Sequence, residues 1–196
     1  MINISVDKEK IRKLSSLLEN NAKKIKKELA VAVNETAKMT KSKIAKLIAI
    51  DMNLPQREIK KGIIGKRATA AMPQTEVILK KGWRYSLKQF KPEQKAGGVR
   101  VKIRKSGKSI LVPQAFMGPK PGMPLARFGG HVFKRVGKTW DKGKRLPIIL
   151  LRGPSAWGAF TKNNHLAPTV EETKKRFAYE IDRRIRKIEL ELEGKI

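Results

Sequence analysis

The stretch Gly98-Val99-Arg100-Val101-Lys102-Ile103-Arg104 alternates small or apolar residues with basic ones over its whole length. Because successive side chains of a β-strand point to opposite faces, this pattern predicts a strand with one buried face and one cationic face. Lys105-Ser106-Gly107-Lys108 then leads into Ser109-Ile110-Leu111-Val112, so we expect an antiparallel hairpin. The centre of the chain is therefore predicted to be a β-rich, strongly basic core.

Other segments with a period of two lie on both sides of this hairpin. Thr75–Leu79 and Arg84–Leu87 are predicted to be strands around a turn at Lys81-Gly82. His131–Val136 and Pro147–Leu150 are predicted to be two more, joined by a basic turn from Gly137 to Arg145. We expect the sheet to be mainly antiparallel.

Helical patterns occupy the two ends of the chain. No Gly or Pro occurs from Asp7 to Asn53, and apolar or small residues recur there at steps of three and four. A single helix of that length would span roughly 65–70 Å, which exceeds a globule of this size. We therefore expect a break near residues 34–36 or 40–42, or a projecting part. Pro55 ends the pattern and suits the start of a short helix over Gln56–Lys61, closed by Gly62.

At the other end, Thr169 and Glu172 form a capping-box pattern ahead of an amphipathic helix. Helices at both ends of a β-rich centre predict an α+β fold with a long N-terminal helix, a C-terminal helix and a basic sheet between them. We expect a single domain over residues 1–196. Its parts are a helical N-terminal arm (7–62), a basic core (63–166) with a Pro/Gly loop (118–124), and a C-terminal helix (167–194).

Charge limits the class of partner. The 196 residues include 46 Lys and Arg against 17 Asp and Glu, a net charge of +29. Between Gln94 and Val170 there are 16 basic residues and one acid, Asp141. Such an excess predicts a polyanionic partner, or an assembly whose acidic subunits offset it. No cysteine, secretory signal or membrane-length apolar segment is present in this sequence, so we expect a soluble intracellular product.

Nucleotide-binding motifs are incomplete. Gly137-Lys138-Thr139 is similar to the end of a phosphate-binding loop, but Val132 stands where that loop needs glycine. Gly62-x-x-Gly65 and Gly129-Gly130 lack the strand and helix context of a dinucleotide site. The sequence therefore gives no reason to expect a nucleotide cofactor.

Residues for hydrolysis or metal binding are equally sparse. Ser155, His165 and Asp182 can be written as a triad, but Ser155 lacks the spacing of a nucleophile elbow. Two histidines without cysteine make a metal site improbable. We expect no catalytic residues, no metal and no cofactor.

Alternate basic residues in the hairpin are the sharper signal. Arg100, Lys102 and Arg104 would lie on one side of a strand about 6.5–7 Å apart, comparable to the spacing of phosphates along one nucleic-acid strand. The alternative is a strand face that contacts only water. The predicted DNA-facing set is Arg100, Lys102, Arg104, Lys105, Lys108, Lys134 and Arg135. The chain's aromatic residues are predicted to lie in the core or in interfaces, rather than to stack on bases.

The apolar faces of the terminal helices are candidates for subunit contacts. The predicted interface residues are Ile25, Leu29, Ile44, Leu47, Phe177, Ile181 and Ile185. The alternative is that both faces pack inside the chain itself. The loop from Pro119 to Pro124 is expected to become ordered on assembly.

A succession of short motifs resembles a known family. Leu54-Pro55-Gln56-Arg57 follows the long basic helix, and Leu87 and Phe90 precede Gly98-Val99-Arg100-Val101. Later motifs are Ala115-Phe116-Met117, His131-Val132-Phe133-Lys134-Arg135, Leu146-Pro147-Ile148 and Gly153-Pro154-Ser155. In order and spacing they resemble the prophage minor tail protein Z family of lambda-type long-tailed phages, over about residues 10–192.

This resemblance implies a virion structural protein without enzymatic activity, a tail completion factor at the head-proximal end of the tail or in the neck. It implies a homo-oligomeric ring, with six-fold symmetry, around the channel that conducts double-stranded DNA. Implied partners are other tail or neck proteins, such as the tail terminator, the tube or the head-tail connector. Assembly would occur in the host cytoplasm, with no membrane involved.

Two other functions stay open from the residues alone. One is a free nucleic-acid-binding protein without sequence specificity. The other is a nucleotide-dependent or hydrolytic enzyme using Lys138 or Ser155.

Overall fold

The structure, a computed structural model, describes residues 2–4, 22–119, 128–136, 147–162 and 164–192. It combines helices with antiparallel sheets and confirms the predicted α+β class, including the long N-terminal helix and the C-terminal helix. The helices are α1 (Ala22–Asp51), α2 (Gln56–Lys61), α3 (Ala156–Lys162) and α4 (Leu166–Leu192). None of the described helices is long and apolar enough to cross a membrane.

The described strands are short and all pair antiparallel. They are β1 (Ile2–Ile4), β2 (Ile63–Gly65), β3 (Thr75–Leu79), β4 (Arg84–Ser86), β5 (Glu93–Lys95), β6 (Gly98–Val101), β7 (Ile110–Pro113), β8 (Ala115–Met117), β9 (Val132–Arg135), β10 (Ile148–Leu150) and β11 (Arg152–Ser155). Instead of one sheet, they form four small ones with the orders β1-β3-β2, β5-β6-β7, β10-β9-β8 and β11-β4.

The chain divides into two compact units that are interleaved along the sequence. The first unit comprises Met1–Lys46, Ile63–Leu79 and Phe160–Ile196, and the second comprises Leu47–Gly62 and Lys80–Ala159. The second unit holds 23 of the 46 basic residues but only four of the 17 acids, and thus +19 of the net +29. The single domain over residues 1–196 and its predicted internal boundaries stay predictions.

In the first unit, α1 and α4 lie side by side and antiparallel. Glu28 near the start of α1 accepts a hydrogen bond from Arg184 late in α4, at 2.9 Å. Thr40, later in α1, meets Thr173, early in α4, with 3.0 Å between their hydroxyl oxygens. Buried Ile25 and Leu29 fill the space between these helices, as apolar residues at helical spacing are expected to do.

The second unit packs its core around α2, β4 and the hairpin. Ile59, Tyr85 and Phe90 are each at most 1% exposed. The phenol of Tyr85 donates a hydrogen bond of 2.9 Å to the carbonyl of Ile59. Burial, and then the negative charge of Glu58, raise the pKa of this phenol. The hydroxyl is therefore a neutral donor that fixes β4 against α2.

Several predicted elements are confirmed by the structure. β3 covers Thr75–Leu79, and α2 covers Gln56–Lys61 with Gly62 following it. The hairpin predicted from the alternating stretch forms as β6 and β7, although β6 ends at Val101 and not at Arg104. The strands predicted at 131–136 and 147–150 pair as β9 and β10. Gly98 is required at the start of β6, because a Cβ there would lie 2.2 Å from the carbonyl oxygen of Val112.

Other predictions about local structure are wrong. α1 is continuous across residues 34–36 and 40–42, so the expected break is absent from both places. β3 does not pair with β4: it lies between β1 and β2, whereas β4 pairs with β11. β4 also ends at Ser86, where the Ser86 hydroxyl caps a short 3-10 helix over Leu87–Phe90.

The start of the C-terminal helix also differs from the prediction. α4 begins at Leu166, so Thr169 lies inside it and its hydroxyl donates to the carbonyl of His165 instead of capping the helix. Pro168 permits this start, because proline is tolerated in the first turn, where its missing N–H has no partner to lose. The helix α3 and the strands β1, β2, β5, β8 and β11 were not predicted. The predicted helical residues 7–21, most of the 118–124 loop, the basic turn 137–145 and residues 193–194 lie outside the described residues.

Candidate nucleic-acid interface

The basic hairpin places its charged side chains on the surface of the second unit. In β6, Val99 and Val101 are at most 2% exposed, whereas Arg100 between them is exposed. β6 is the central strand of its sheet, with β5 on one side and β7 on the other. The alternation therefore separates a buried apolar face from a face that carries Arg100.

The alternation continues beyond the end of β6 because the next residues are held against the end of α1. The amide of Asn53 donates to the carbonyl of Ile103, and the amide of Lys105 donates to the carbonyl of Asp51, both at 2.9 Å. Ile103 is half-buried, while Lys102 and Arg104 on either side of it are exposed. Backbone pairing thus keeps 102–104 extended, with Lys102 and Arg104 on the side of Arg100.

Acidic groups neutralise only part of this basic surface. The Nε of Arg104 lies 3.8 Å from the carboxylate of Asp51. Glu93 on β5 is the residue paired with Arg100 in the sheet. The Glu93 carboxylate itself pairs with Lys95, at 3.2 Å. Within the described part of the chain, the basic-row residues without a carboxylate in ion-pair distance are Arg100, Lys102, Lys105 and Lys108. These groups are available to a polyanion.

The two predicted cations of β9 belong to a different sheet. Lys134 is half-buried and Arg135 is exposed, with its guanidinium 5.6 Å from the centre of the Phe116 ring. Neighbouring residues of a strand point to opposite faces, so these two cannot both share one surface with the hairpin row. The seven predicted DNA-facing residues therefore do not form one continuous row.

Sequence reasoning missed further basic residues of this unit. Arg84 on β4 and Arg152 on β11 are exposed, and their strands pair with each other. Neither residue belongs to a local alternating pattern. Their proximity depends on a pairing between distant strands, so no local signal could have indicated it.

Most of the predicted subunit-interface residues are buried inside the single chain. Ile25, Leu29, Ile44, Phe177 and Ile181 are all less than 9% exposed without any partner chain. In this conformation they cannot contact another subunit, so the intramolecular alternative applies to them. Leu47 and Ile185 are half-buried, and their role in an interface stays a prediction.

The aromatic residues divide between the core and the surface. Tyr85, Phe90 and Phe160 are buried, whereas Trp83 is 41% exposed and stacks against the ammonium of Lys80. A second group forms a surface cluster in which the Phe133 ring lies between two others. Its ring centre is 5.9 Å from that of Phe116 and 6.1 Å from that of Phe128. Trp140 lies outside the described residues.

One histidine of this unit has an altered acidity. His131 is half-buried, and its Nδ1 lies 3.2 Å from the hydroxyl oxygen of Ser86. Burial, and then the positive charge of Lys88, lower the pKa of His131 below its usual value of 6.5. The imidazole is therefore neutral near pH 7.

Ser155 has a structural explanation. It ends β11 just before α3, and its hydroxyl oxygen accepts a hydrogen bond of 3.0 Å from the amide of Gly158. A serine at this position is a typical helix N-cap. Lys138, the other residue of the enzyme alternative, lies outside the described residues. Among the described residues, no group of three or more His, Asp or Glu side chains is close enough together to hold a metal ion.

Comparison of the chain with protein-family models, with curated proteins and with solved structures finds no match. The resemblance to the minor tail protein Z family therefore rests on the sequence motifs alone. The geometry described above places Arg100, Lys102 and Arg104 as exposed cations along one side of an extended segment.

Proposed function

We propose that this chain is a structural protein of a phage virion, a tail completion protein at the head-proximal end of the tail or in the neck. The observation that carries the proposal is the exposed row of Arg100, Lys102 and Arg104, continued by Lys105 and Lys108, on a unit with a net charge of +19. The order of the sequence motifs supports the choice of this class of protein among those that contact DNA.

A basic surface of this kind suits a channel that conducts double-stranded DNA. Phosphate contacts hold a duplex without reading its sequence, which a channel for any genome requires. The row presents point charges along one side of an extended segment, and Asp51 and Glu93 moderate its attraction. Partial neutralisation keeps the duplex free to move. The assembly would be a ring of this chain, six-fold in symmetry, between neighbouring tail or neck proteins.

Quantitative mass spectrometry of phage particles tests the proposal. Particles are purified on a density gradient from cells that produce the phage or prophage encoding this chain. We expect a fixed copy number, six or a multiple of six, relative to the tube protein. Absence of the chain from finished particles would overturn the proposal of a virion component.

A genetic version of the experiment tests the role of the basic row. The gene for this chain is deleted from the phage genome. The deletion is complemented with the wild-type gene, with R100E/K102E, or with the charge-matched control K26E/K27E, whose residues are exposed on α1. We expect the row variant alone to lower the infectious titre while its copy number in particles stays the same. Equal titres for the two variants would contradict a role for the row.

The same row favours a second candidate, a free nucleic-acid-binding protein without sequence specificity. It would bind duplexes of unrelated sequence with similar affinity and a steep dependence on salt. The chain would then be absent from particles but would bind DNA when purified.

A further inference from the structure

The strand β10 is exposed to an unusual degree for its composition. Its three residues, Ile148, Ile149 and Leu150, are 52%, 46% and 38% exposed. Because alternate residues face opposite sides, both faces of this strand present apolar surface. β10 is also the outer strand of the sheet β10-β9-β8.

On the outer edge of β10, alternate backbone N–H and C=O groups point outward, so another strand could pair with them. The amide of Val136 donates to the carbonyl of Pro147, and the amide of Leu151 donates to the carbonyl of Val132. Hydrogen-bonded pairs alternate along an antiparallel ladder, so Ile149 bonds inward to β9. The N–H and C=O groups of Ile148 and Leu150 therefore point outward, and within the described residues they have no hydrogen-bond partner.

The outer strand β7 of the same unit provides a comparison with β10. β7 is likewise an outer strand, and its Ile110 and Leu111 are exposed. However, β7 ends in Pro113, which lacks an N–H and blocks the addition of a strand. β10 has neither a proline nor a charged residue within it. Native proteins normally protect such an edge, so an edge that no described residue covers indicates a binding surface.

The surrounding charges select the occupant. Lys134 stands opposite Ile149 and Arg135 opposite Ile148, so each face of the β9-β10 pair has one cation. The three strands of this sheet contain no Asp or Glu. At this edge a second copy of the chain would bring the same basic sheet, whose cations do not complement Lys134. An acidic strand is complementary instead.

We infer that the outer edge of β10 binds an extended acidic segment of another protein as an added β-strand. Backbone bonds to Ile148 and Leu150 hold the segment, while the carboxylates on one of its faces pair with Lys134. This assigns Lys134 to a protein partner and leaves the hairpin row for DNA. The inference does not rest on the proposed function, because the contact requires neither DNA nor a phage particle.

Three synthetic nine-residue peptides test the inference with the full chain. The first alternates Val and Glu, the second alternates Val and Lys, and the third is the Glu peptide with alternate backbone nitrogens methylated to remove its N–H donors. Affinities are measured by fluorescence anisotropy, and hydrogen exchange by NMR locates the contact. We expect binding of the Glu peptide, with slowed exchange at the amides of Ile148 and Leu150. The other two peptides should bind at least tenfold more weakly, which corresponds to about 1.4 kcal/mol.

Matched variants locate the edge. L150P removes an outward N–H of β10 and should weaken binding of the Glu peptide at least tenfold. L111P makes the same change on the edge of β7 and should leave that affinity unchanged. The three-peptide comparison on the wild-type chain remains decisive if L150P does not fold.

Several results would overturn the inference. Equal binding of the Lys peptide would exclude charge selection, and equal binding of the methylated peptide would exclude strand pairing. Self-association of the chain that L150P abolishes would identify a second copy as the occupant. Protection of the Ile148 and Leu150 amides by duplex DNA would assign the edge to nucleic acid.

Discussion

Removing two charges from the hairpin row should change the salt dependence of DNA binding by a calculable amount. The variant R100Q/K102Q removes two exposed cations that have no carboxylate within ion-pair distance among the described residues. Arg104 is left in place because Asp51 already pairs with it. Each phosphate contact on duplex DNA contributes about 0.9 to the slope of log K against log salt concentration. The slope should therefore become shallower by about 1.8.

The same slope difference predicts how the ratio of wild-type affinity to variant affinity changes with salt concentration. Over a fourfold change, from about 50 to about 200 mM salt, a slope difference of about 1.8 corresponds to roughly tenfold. The ratio of the wild-type affinity for DNA to the variant affinity should therefore fall roughly tenfold across this range. Fluorescence anisotropy with two unrelated 20-base-pair duplexes measures both slopes. The two duplexes should give the same result, because phosphate contacts carry no sequence information.

The control is K26Q/K27Q, which makes the same change in net charge on two exposed residues of α1 in the first unit. Its slope should stay close to that of the wild-type chain. An unchanged slope for R100Q/K102Q would refute the row as a DNA contact. Equal changes in the two variants would show that total charge, and not the geometry of the row, determines binding.

Three further predictions concern buried residues and the acidity of His131. Y85F removes the hydrogen bond to Ile59 and should lower the free energy of unfolding by about 0.5–1.5 kcal/mol in urea titrations; no loss would contradict a role for this bond. I181A truncates a residue that is 2% exposed and should cost about 2–5 kcal/mol, whereas I185A, at a half-buried position, should cost less; equal losses would contradict the observed burial. Because the folded-state pKa of His131 is lowered, the unfolded chain takes up the proton first as the pH falls, so stability should decline below about pH 6.5. H131N should flatten this part of the curve of stability against pH, and an unchanged curve would show that another group is responsible.

Elements whose determinants are close together in the sequence could be predicted. The alternation from Val99 to Arg104 and the polar residues after it indicate a hairpin through neighbouring residues alone. The structure forms this hairpin, but β6 ends at Val101, so residues 102–109 connect the strands instead of the predicted four-residue turn. Pro55 and Gly62 likewise bound α2, because each acts on the backbone next to it. Much of the basic row could be located for the same reason, since its spacing is a property of one extended segment.

Pairings between distant segments could not be predicted. β4 lies against β11, although the two strands are more than 60 residues apart, and β3 lies between β1 and β2 instead of against β4. A period of two indicates that a segment is a strand, but it contains no information about which strand lies beside it. Asp51 next to Arg104 was missed for this reason, because backbone pairing with the end of α1 brings that acid to the row.

Local patterns in the chain are enough to predict the α+β class, the hairpin, the long terminal helices and the concentration of positive charge in the middle of the sequence. These properties follow from local periodicity and composition. Which apolar faces are covered depends instead on packing between segments that are distant in the sequence. This packing buries Phe177 and Ile181 within the chain, whereas Ile148 and Leu150 stay exposed. The physical reason is that an apolar stripe requires burial but does not specify the surface that provides it.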